Sequence, residues 1–129
     1  MRIPPWFNTV TPYLIVDGAV HFLDFLVHGL RGEEIGDRHM RGDRLANAPV
    51  RPGTSTVMVS EAPAEYPAMP GSDYLYVVNA DEAMNKAIGA GATKIMEVDN
   101  KPYNDRQGGV KDQFGNYWWI SERLIEGPY

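Results

Sequence analysis

Apolar and polar residues follow the same order in two halves of the chain. Residues 11–29, TPYLIVDGAVHFLDFLVHG, match residues 73–91, DYLYVVNADEAMNKAIGAG, in character at a constant offset of 62. Each stretch has a short apolar run, a turn that contains Asp or Asn, apolar residues at helical spacing, and a glycine. The pattern predicts a strand followed by an amphipathic helix in each half.

The two halves also end alike, because VMVSE at residues 57–61 matches WWISE at residues 118–122 at an offset of 61. The sequence between the helix and this last strand has room for two more short strands in each half. A proline-rich linker at residues 62–72 separates the halves. The additional strands are predicted at Glu34–Arg41, Ala46–Arg51, Thr93–Asp99 and Asp105–Lys111.

These elements predict an α+β fold of two repeated βαβββ modules, at about residues 9–61 and 73–124, within a single domain of residues 1–129. One helix covers only one face of a sheet, so the two curved mixed sheets are expected to form a cup with their other faces. Strand alternation decides which side chains point into the cup. Trp118 is expected to pack under the second helix. The residues expected to face the cup include Tyr13, Met58, Asp73, Leu75 and Trp119.

Charge and composition argue against several kinds of partner. The chain has 12 Lys and Arg against 17 Asp and Glu, a net charge of −5, and its cationic residues are scattered. This balance argues against nucleic acid or an anionic membrane as the main partner. No window reaches the roughly 18 to 20 apolar residues of a membrane-spanning helix. The N-terminal residues lack the apolar core of a secretory signal, and there is no cysteine, so we expect a cytoplasmic protein.

Aromatic side chains are the main sign of a binding site. Those that line the cup or its rim would bind flat or cationic organic ligands by stacking and cation-π attraction. A few polar side chains would orient the ligand. The alternative for each ring is that it fills the core. The predicted ligand-binding residues are Tyr13, Asn47, Met58, Asp73, Leu75, Tyr103, Arg106 and Trp119.

A charged run at residues 37–41, followed by Asp43 and Arg44, has two interpretations. It is typical of a solvated strand edge. The alternative is a share in binding an anionic ligand or in a contact between subunits. His21 and His28 lie towards the solvent edge of the first helix and are not expected to bind a metal.

The repeat, together with TPYLIVDGAVHFLDFL near the start and GGVKDQFGNYWWISE near the end, resembles the vicinal oxygen chelate superfamily. This superfamily includes glyoxalase I, bleomycin-resistance proteins and extradiol dioxygenases. The last hairpin is similar to Asp-Pro-Phe-Gly-x-x-Trp-Trp-Ile of its glyoxalase/bleomycin-resistance-like proteins, with Gln113 in place of the proline. The resemblance covers residues 11–122 and implies the fold of two paired modules. It also implies a homodimer.

Catalytic members of the superfamily hold a divalent metal at positions that correspond here to Thr11, Met58, Asp73 and Trp119. Only Asp73 is a good ligand for a hard cation, because a thioether is soft and an indole N–H offers no lone pair. Asn47 stands where the branch commonly has a histidine. We therefore expect no metal cofactor.

Two functions follow from the resemblance. The first is metal-free binding of a small molecule, with sequestration of an aromatic or drug-like compound as in bleomycin-resistance relatives. The alternative is a glyoxalase-like lyase or isomerase, or another metal-dependent enzyme of the superfamily. That enzyme would use Asp73 as a base, or as part of a metal site completed by a partner chain or by substrate oxygens.

Overall fold

The computed structural model describes all 129 residues and divides them into two compact units, residues 1–70 and 71–129. The boundary falls inside the predicted linker. The first unit contains β1 (Tyr13–Val16), α1 (Ala19–His28), β2 (Glu33–Glu34), β3 (His39–Arg41), β4 (Arg44–Arg51) and β5 (Val57–Glu61). The second contains β6 (Ser72–Tyr76), α2 (Ala80–Gly89), β7 (Thr93–Asn100), β8 (Asp105–Lys111) and β9 (Tyr117–Arg123).

Each unit has one mixed sheet. The first sheet has the order β1-β5-β4-β2, with β3 also paired to β4, and the second has the order β6-β9-β8-β7. In each sheet the first and last strands of the unit, β1 with β5 and β6 with β9, are parallel neighbours, and the other pairs are antiparallel. The predicted α+β class is confirmed. Each helix has ten residues, and neither is long and apolar enough to cross a membrane.

One predicted strand, Glu34–Arg41, is instead two short strands, β2 and β3. The cause is Pro49 of β4, the strand with which β2 and β3 both pair. Its carbonyl accepts a hydrogen bond from the Ile35 N–H at 3.4 Å. A proline has no N–H to donate to the neighbouring strand, so the ladder is interrupted at this point. Pairing resumes at His39, which lies opposite Asn47.

A glutamate at the end of the last strand holds the start of each helix. Glu61 accepts hydrogen bonds from the N–H groups of Gly18 at 3.0 Å and Ala19 at 2.9 Å, and Glu122 accepts one from Ala80 at 2.9 Å. These carboxylates satisfy N–H groups that have no partner within the helix, and they complement the positive end of the helix dipole. The last strand of each unit is thereby fixed to the start of its helix.

The two glutamates show that one offset of 61 relates the units throughout. At this offset the first helical residues, Ala19 and Ala80, also correspond, and the buried Leu23 corresponds to the buried Met84. The predicted offset of 62 for the first part of each unit was therefore wrong by one residue. Because side chains alternate along a strand, this error reverses the predicted orientation of every residue in β6.

Asp73 and Leu75 are the residues affected by this correction. They lie in register with Trp118 and Ile120 of β9. Ile120 in turn lies opposite Gly108, where an added Cβ would be 2.9 Å from the Met84 side chain of α2. Asp73 and Leu75 are thus on the face covered by α2, which we call the helix face, and not on the opposite, open face.

We predict that replacing Glu61 with alanine destabilises the first unit. Gly18, the residue before α1, offers no side-chain cap, so the loss of the carboxylate leaves the helix start without an acceptor. The expected cost is about 1 kcal/mol. Glu122→Ala should cost less, because Asn79 still accepts from the Glu82 N–H at 3.0 Å.

Urea unfolding of both variants tests this prediction, with Glu65→Ala, at an exposed loop position, as the control. A midpoint for Glu61→Ala equal to that of Glu65→Ala would contradict the capping role.

Candidate functional site

The open face of the second sheet carries a cluster of aromatic side chains. Strand alternation places Tyr74 and Tyr76 of β6 and Tyr117 and Trp119 of β9 on this face, with Tyr74 in register with Trp119. We call these four residues the aromatic face. The three tyrosines are 40 to 49% exposed, and Trp119 is half-buried. Such a group of exposed rings on one surface is typical of an interaction site.

Trp119 is held in place on three sides. Its Nε1 donates to the Ser72 hydroxyl at 2.9 Å, and its ring meets the Tyr117 ring edge-on at 6.0 Å between centroids. The ring lies over Gly109, where an added Cβ would be 2.8 Å from Cζ3. Gly109 therefore allows the indole to lie close against the backbone of β8. The predicted split of the tryptophan pair is confirmed, since the neighbouring Trp118 is 2% exposed and lies on the helix face.

A buried carboxylate lies at the centre of the tyrosine hydroxyls. Asp105 has no exposed surface, and its Oδ2 accepts hydrogen bonds from Tyr74 at 3.0 Å, Tyr76 at 3.2 Å and Tyr129 at 3.1 Å. Its Oδ1 accepts from Arg123 Nη1 at 3.0 Å. A buried charge is tolerated when it is paired and hydrogen-bonded in this way. The phenol oxygens are thus directed inward, while parts of the rings remain exposed to solvent.

Tyr74 remains a hydrogen-bond donor over the physiological range. Burial of the hydroxyl, together with its hydrogen bond to the Asp105 carboxylate, raises the pKa of Tyr74 well above its ordinary value. Ionisation of the phenol would place a second negative charge beside Asp105. The hydroxyl therefore keeps its proton and continues to hold the ring.

Tyr103 lies at the margin of the aromatic face. Its hydroxyl donates to Gln107 Oε1, and its ring meets the ring of Tyr129 at 6.4 Å between centroids. The Arg123 guanidinium lies over the same Tyr129 ring, 4.7 Å from its centroid. The residues after β9 are thereby attached to this edge of the second unit.

The structure separates the predicted site residues into three groups. In the first unit Tyr13 lies beside Met58, and Asn47 is on the same face, two residues from Pro49, which is opposite Met58. In the second unit Trp119 and Tyr103 lie on or beside the open face. The predicted cup-facing positions of Asp73 and Leu75 are wrong, and Arg106, predicted to contact the ligand, also lies on the helix face.

Arg106 has a structural partner instead of a ligand-facing position. It lies on the helix face of β8, and its Nε donates to Asp81 of α2 at 2.8 Å. Its Nη1 donates to Asn100 at 3.0 Å. Adjacent residues of β8 point to opposite faces, so the neighbouring carboxylate, Asp105, pairs with Arg123 on the open face.

The ligand-binding residues predicted from the sequence do not include Tyr74, Tyr76 or Asp105. The offset of 61, applied from the start of the repeat, would have placed Tyr74 in correspondence with Tyr13. Asp105 carries no local signal, because its partners Tyr74 and Arg123 are 31 and 18 residues away along the chain.

The side chains at the superfamily's metal positions do not fit a divalent cation. The corrected offset of 61 changes one of the four predicted positions, because Thr11 corresponds to Ser72 and not to Asp73. Met58 still corresponds to Trp119. The Thr11 hydroxyl donates to the Asn8 carbonyl at 3.2 Å, and the Ser72 hydroxyl accepts from the Trp119 indole. Hydroxyls, a thioether and an indole are poor ligands for such an ion. No group of three or more His, Cys, Asp or Glu side chains converges elsewhere.

Comparison with known proteins gives relatives of unassigned function. No family model matches the chain. An uncharacterized protein of Mycobacterium bovis is 27% identical over 128 residues, which cover 91% of this chain and 84% of that protein. An uncharacterized protein of Mycobacterium tuberculosis H37Rv is also 27% identical, over 91% of this chain and 75% of its own length.

Solved structures identify the fold. TioX from Micromonospora sp. ML1 has a TM-score of 0.74 and 20% identity, over 94% of this chain and 100% of TioX. TnmS3, an antibiotic binding protein from Streptomyces sp. CB03234, has a TM-score of 0.68 and 16% identity, over 90% and 97% of the two chains. Lactoylglutathione lyase from Agrobacterium tumefaciens has a TM-score of 0.68 and 14% identity, over 98% of this chain and 100% of the lyase. The chain thus has the glyoxalase/bleomycin resistance/dioxygenase fold, as the resemblance implied.

We predict that Asp73→Asn stabilises the second unit at neutral pH. Asp73 Oδ2 is buried without a hydrogen-bond partner, and burial raises the pKa of this carboxyl. A raised pKa means that the folded state disfavours the ionised form. The penalty is therefore present at pH 7 and disappears below the ordinary carboxyl pKa of about 4.

The expected gain is up to about 1 kcal/mol at pH 7 and none near pH 3. Chemical unfolding of both proteins at the two pH values measures it. The same difference in unfolding free energy at both pH values would show that ionisation of Asp73 is not the cause.

Proposed function

We propose that the protein binds a small, largely aromatic molecule on the aromatic face of its second unit, without a metal ion, and sequesters it. The observation that carries this proposal is the attachment of the Tyr74 and Tyr76 hydroxyls to the buried Asp105 carboxylate. Two rings are thereby fixed in position before any ligand arrives. A pre-organised surface loses less conformational entropy on binding than one whose side chains must first be ordered.

Burial of ring surface supplies the affinity in this proposal. Stacking of a planar molecule on aromatic side chains contributes about 0.5–1.5 kcal/mol per ring pair beyond the burial of area. Trp119 offers the largest ring of the face, and its indole N–H is already satisfied by Ser72. A ligand can therefore cover the indole without leaving a buried donor unpaired.

The chemistry of the aromatic face favours binding over catalysis. Asp105, the carboxylate beneath it, is fully buried and accepts from four donors, so it is not available as a general base. The metal positions hold residues that do not bind a hard cation. The enzyme alternative would use Asp73, which lies on the helix face. The lyase with the same fold therefore supports only a common scaffold.

A relative with the same fold supports the sequestration part of the proposal, since TnmS3 is an antibiotic binding protein. The homodimer that the resemblance implies and the cytoplasmic location expected from the composition stay predictions. Sedimentation of the purified protein would test the first, and fractionation of the source cells would test the second.

Titration with planar aromatic compounds tests the proposed function. Calorimetry with 9-aminoacridine and 1-naphthol should give saturable binding of at least one of them to the wild-type protein. Trp119→Ala should weaken that binding about tenfold, the equivalent of about 1.4 kcal/mol. The control is Trp6→Ala, which removes a 66% exposed tryptophan of the first unit and should leave the affinity unchanged.

Two outcomes would overturn the proposal. One is that neither compound binds saturably. The other is that Trp119→Ala and Trp6→Ala bind with the same affinity.

A further inference from the structure

Two arginines face each other across a tight hairpin of the first unit. Gly42, with a φ of 64°, and Asp43 form the turn between β3 and β4, and the register places Arg41 directly opposite Arg44. Like charges at directly opposed positions of two strands destabilise the pair. The sequence thus places an unfavourable charge pair at the end of a hairpin, and an anion between the two groups would relieve the repulsion.

Neither arginine is neutralised by a carboxylate. Arg44 donates through Nη2 to the Ala62 carbonyl at 2.9 Å, and neither Arg41 nor Arg44 forms an ion pair. Glu61 is near them in the fold, but both of its oxygens accept from the N–H groups at the start of α1. Donors of both guanidiniums therefore remain for another acceptor.

A cavity of ≈ 250 Å³ lies beside this pair. Its walls include both arginines, Tyr13, Pro63 and Glu61, whose carboxylate is bonded to the start of α1. Tyr13 is 52% exposed, so part of its surface is open to a ligand. Pockets that take drug-sized ligands have volumes of about 300–1,000 Å³, so this cavity suits a smaller molecule.

We propose that this cavity binds a small organic anion, a single-ring carboxylate, with its carboxylate on Arg41 and Arg44 and its ring against Tyr13. Arginine guanidiniums are matched to carboxylates in geometry and in charge. The net charge of the protein is −5, but at physiological ionic strength exposed charges beyond about 8 Å are largely screened. The charged residues that line the cavity are Arg41, Arg44 and Glu61, two positive charges against one negative, so the local charge favours an anion. This inference does not depend on the proposed function of the second unit.

Titration with benzoate, followed by NMR chemical shifts and calorimetry, tests the proposal. Benzoate should bind saturably and shift the signals of Tyr13, Arg41 and Arg44. Benzamide, the neutral compound of the same shape, and acetate, which has no ring, should each bind at least tenfold more weakly. Raising the salt concentration should weaken benzoate binding and leave benzamide binding unchanged.

Single charge-removing variants identify the residues involved. Arg41→Gln and Arg44→Gln should each weaken benzoate binding about tenfold, because a hydrogen bond to a charged group is lost. The matched control is Arg38→Gln, which removes a nearby exposed arginine paired with Glu34 at 2.8 Å and should have no effect. Without ligand, Arg41→Gln should unfold at the same or a higher urea concentration than wild type, since it removes the repulsion.

Any of three results would overturn the proposal. They are no saturable binding of benzoate, equal binding of benzoate and benzamide, and an equal loss of affinity in Arg38→Gln and Arg41→Gln. Acetate binding as tight as that of benzoate would overturn the role given to Tyr13.

Discussion

The open face of the second unit depends on the hydrogen bonds that the buried Asp105 carboxylate accepts. A charge without solvent exposure costs several kcal/mol unless it is compensated. Here one arginine and three tyrosine hydroxyls compensate it, and they come from β6, β9 and the last residue of the chain. The cost of burying Asp105 is thus offset by contacts that also fix the rings of Tyr74 and Tyr76. The same feature stabilises the unit and shapes its surface.

A second constraint, shared by both units, links the sheet to the helix. Glu61 and Glu122 connect the last strand of each unit to the start of its helix, so the register of the parallel strand pair is set at one point. From that point, alternation determines the whole surface. In the first unit it places Tyr13 and Met58 on the open face, and in the second it places Tyr74 and Trp119 there. The register of this parallel pair and the alternation of side chains along it therefore determine which side chains lie on the open face.

The sequence was sufficient for the fold and for part of the site. The repeat predicted both helices, and the strands predicted in the second unit correspond to β7 and β8. The repeat assigns Trp118 and Trp119 to their correct faces, because the match of residues 57–61 with residues 118–122 has the correct offset of 61. The pattern puts Asp73 on the wrong face, because both alternating sets of residues 74–77 are aromatic or apolar, Tyr74 with Tyr76 and Leu75 with Val77. The hydrophobic pattern cannot tell the faces apart there, and Glu122, which does so, is distant in sequence.

The most direct measurement of the central claim is the affinity of a planar aromatic ligand for a Tyr74→Phe/Tyr76→Phe double variant. This variant keeps both rings and removes their hydroxyls, and with them the two hydrogen bonds to Asp105. If the carboxylate pre-organises the face, the affinity should fall about tenfold, with a faster dissociation rate. An affinity and dissociation rate equal to those of the wild type would contradict the account.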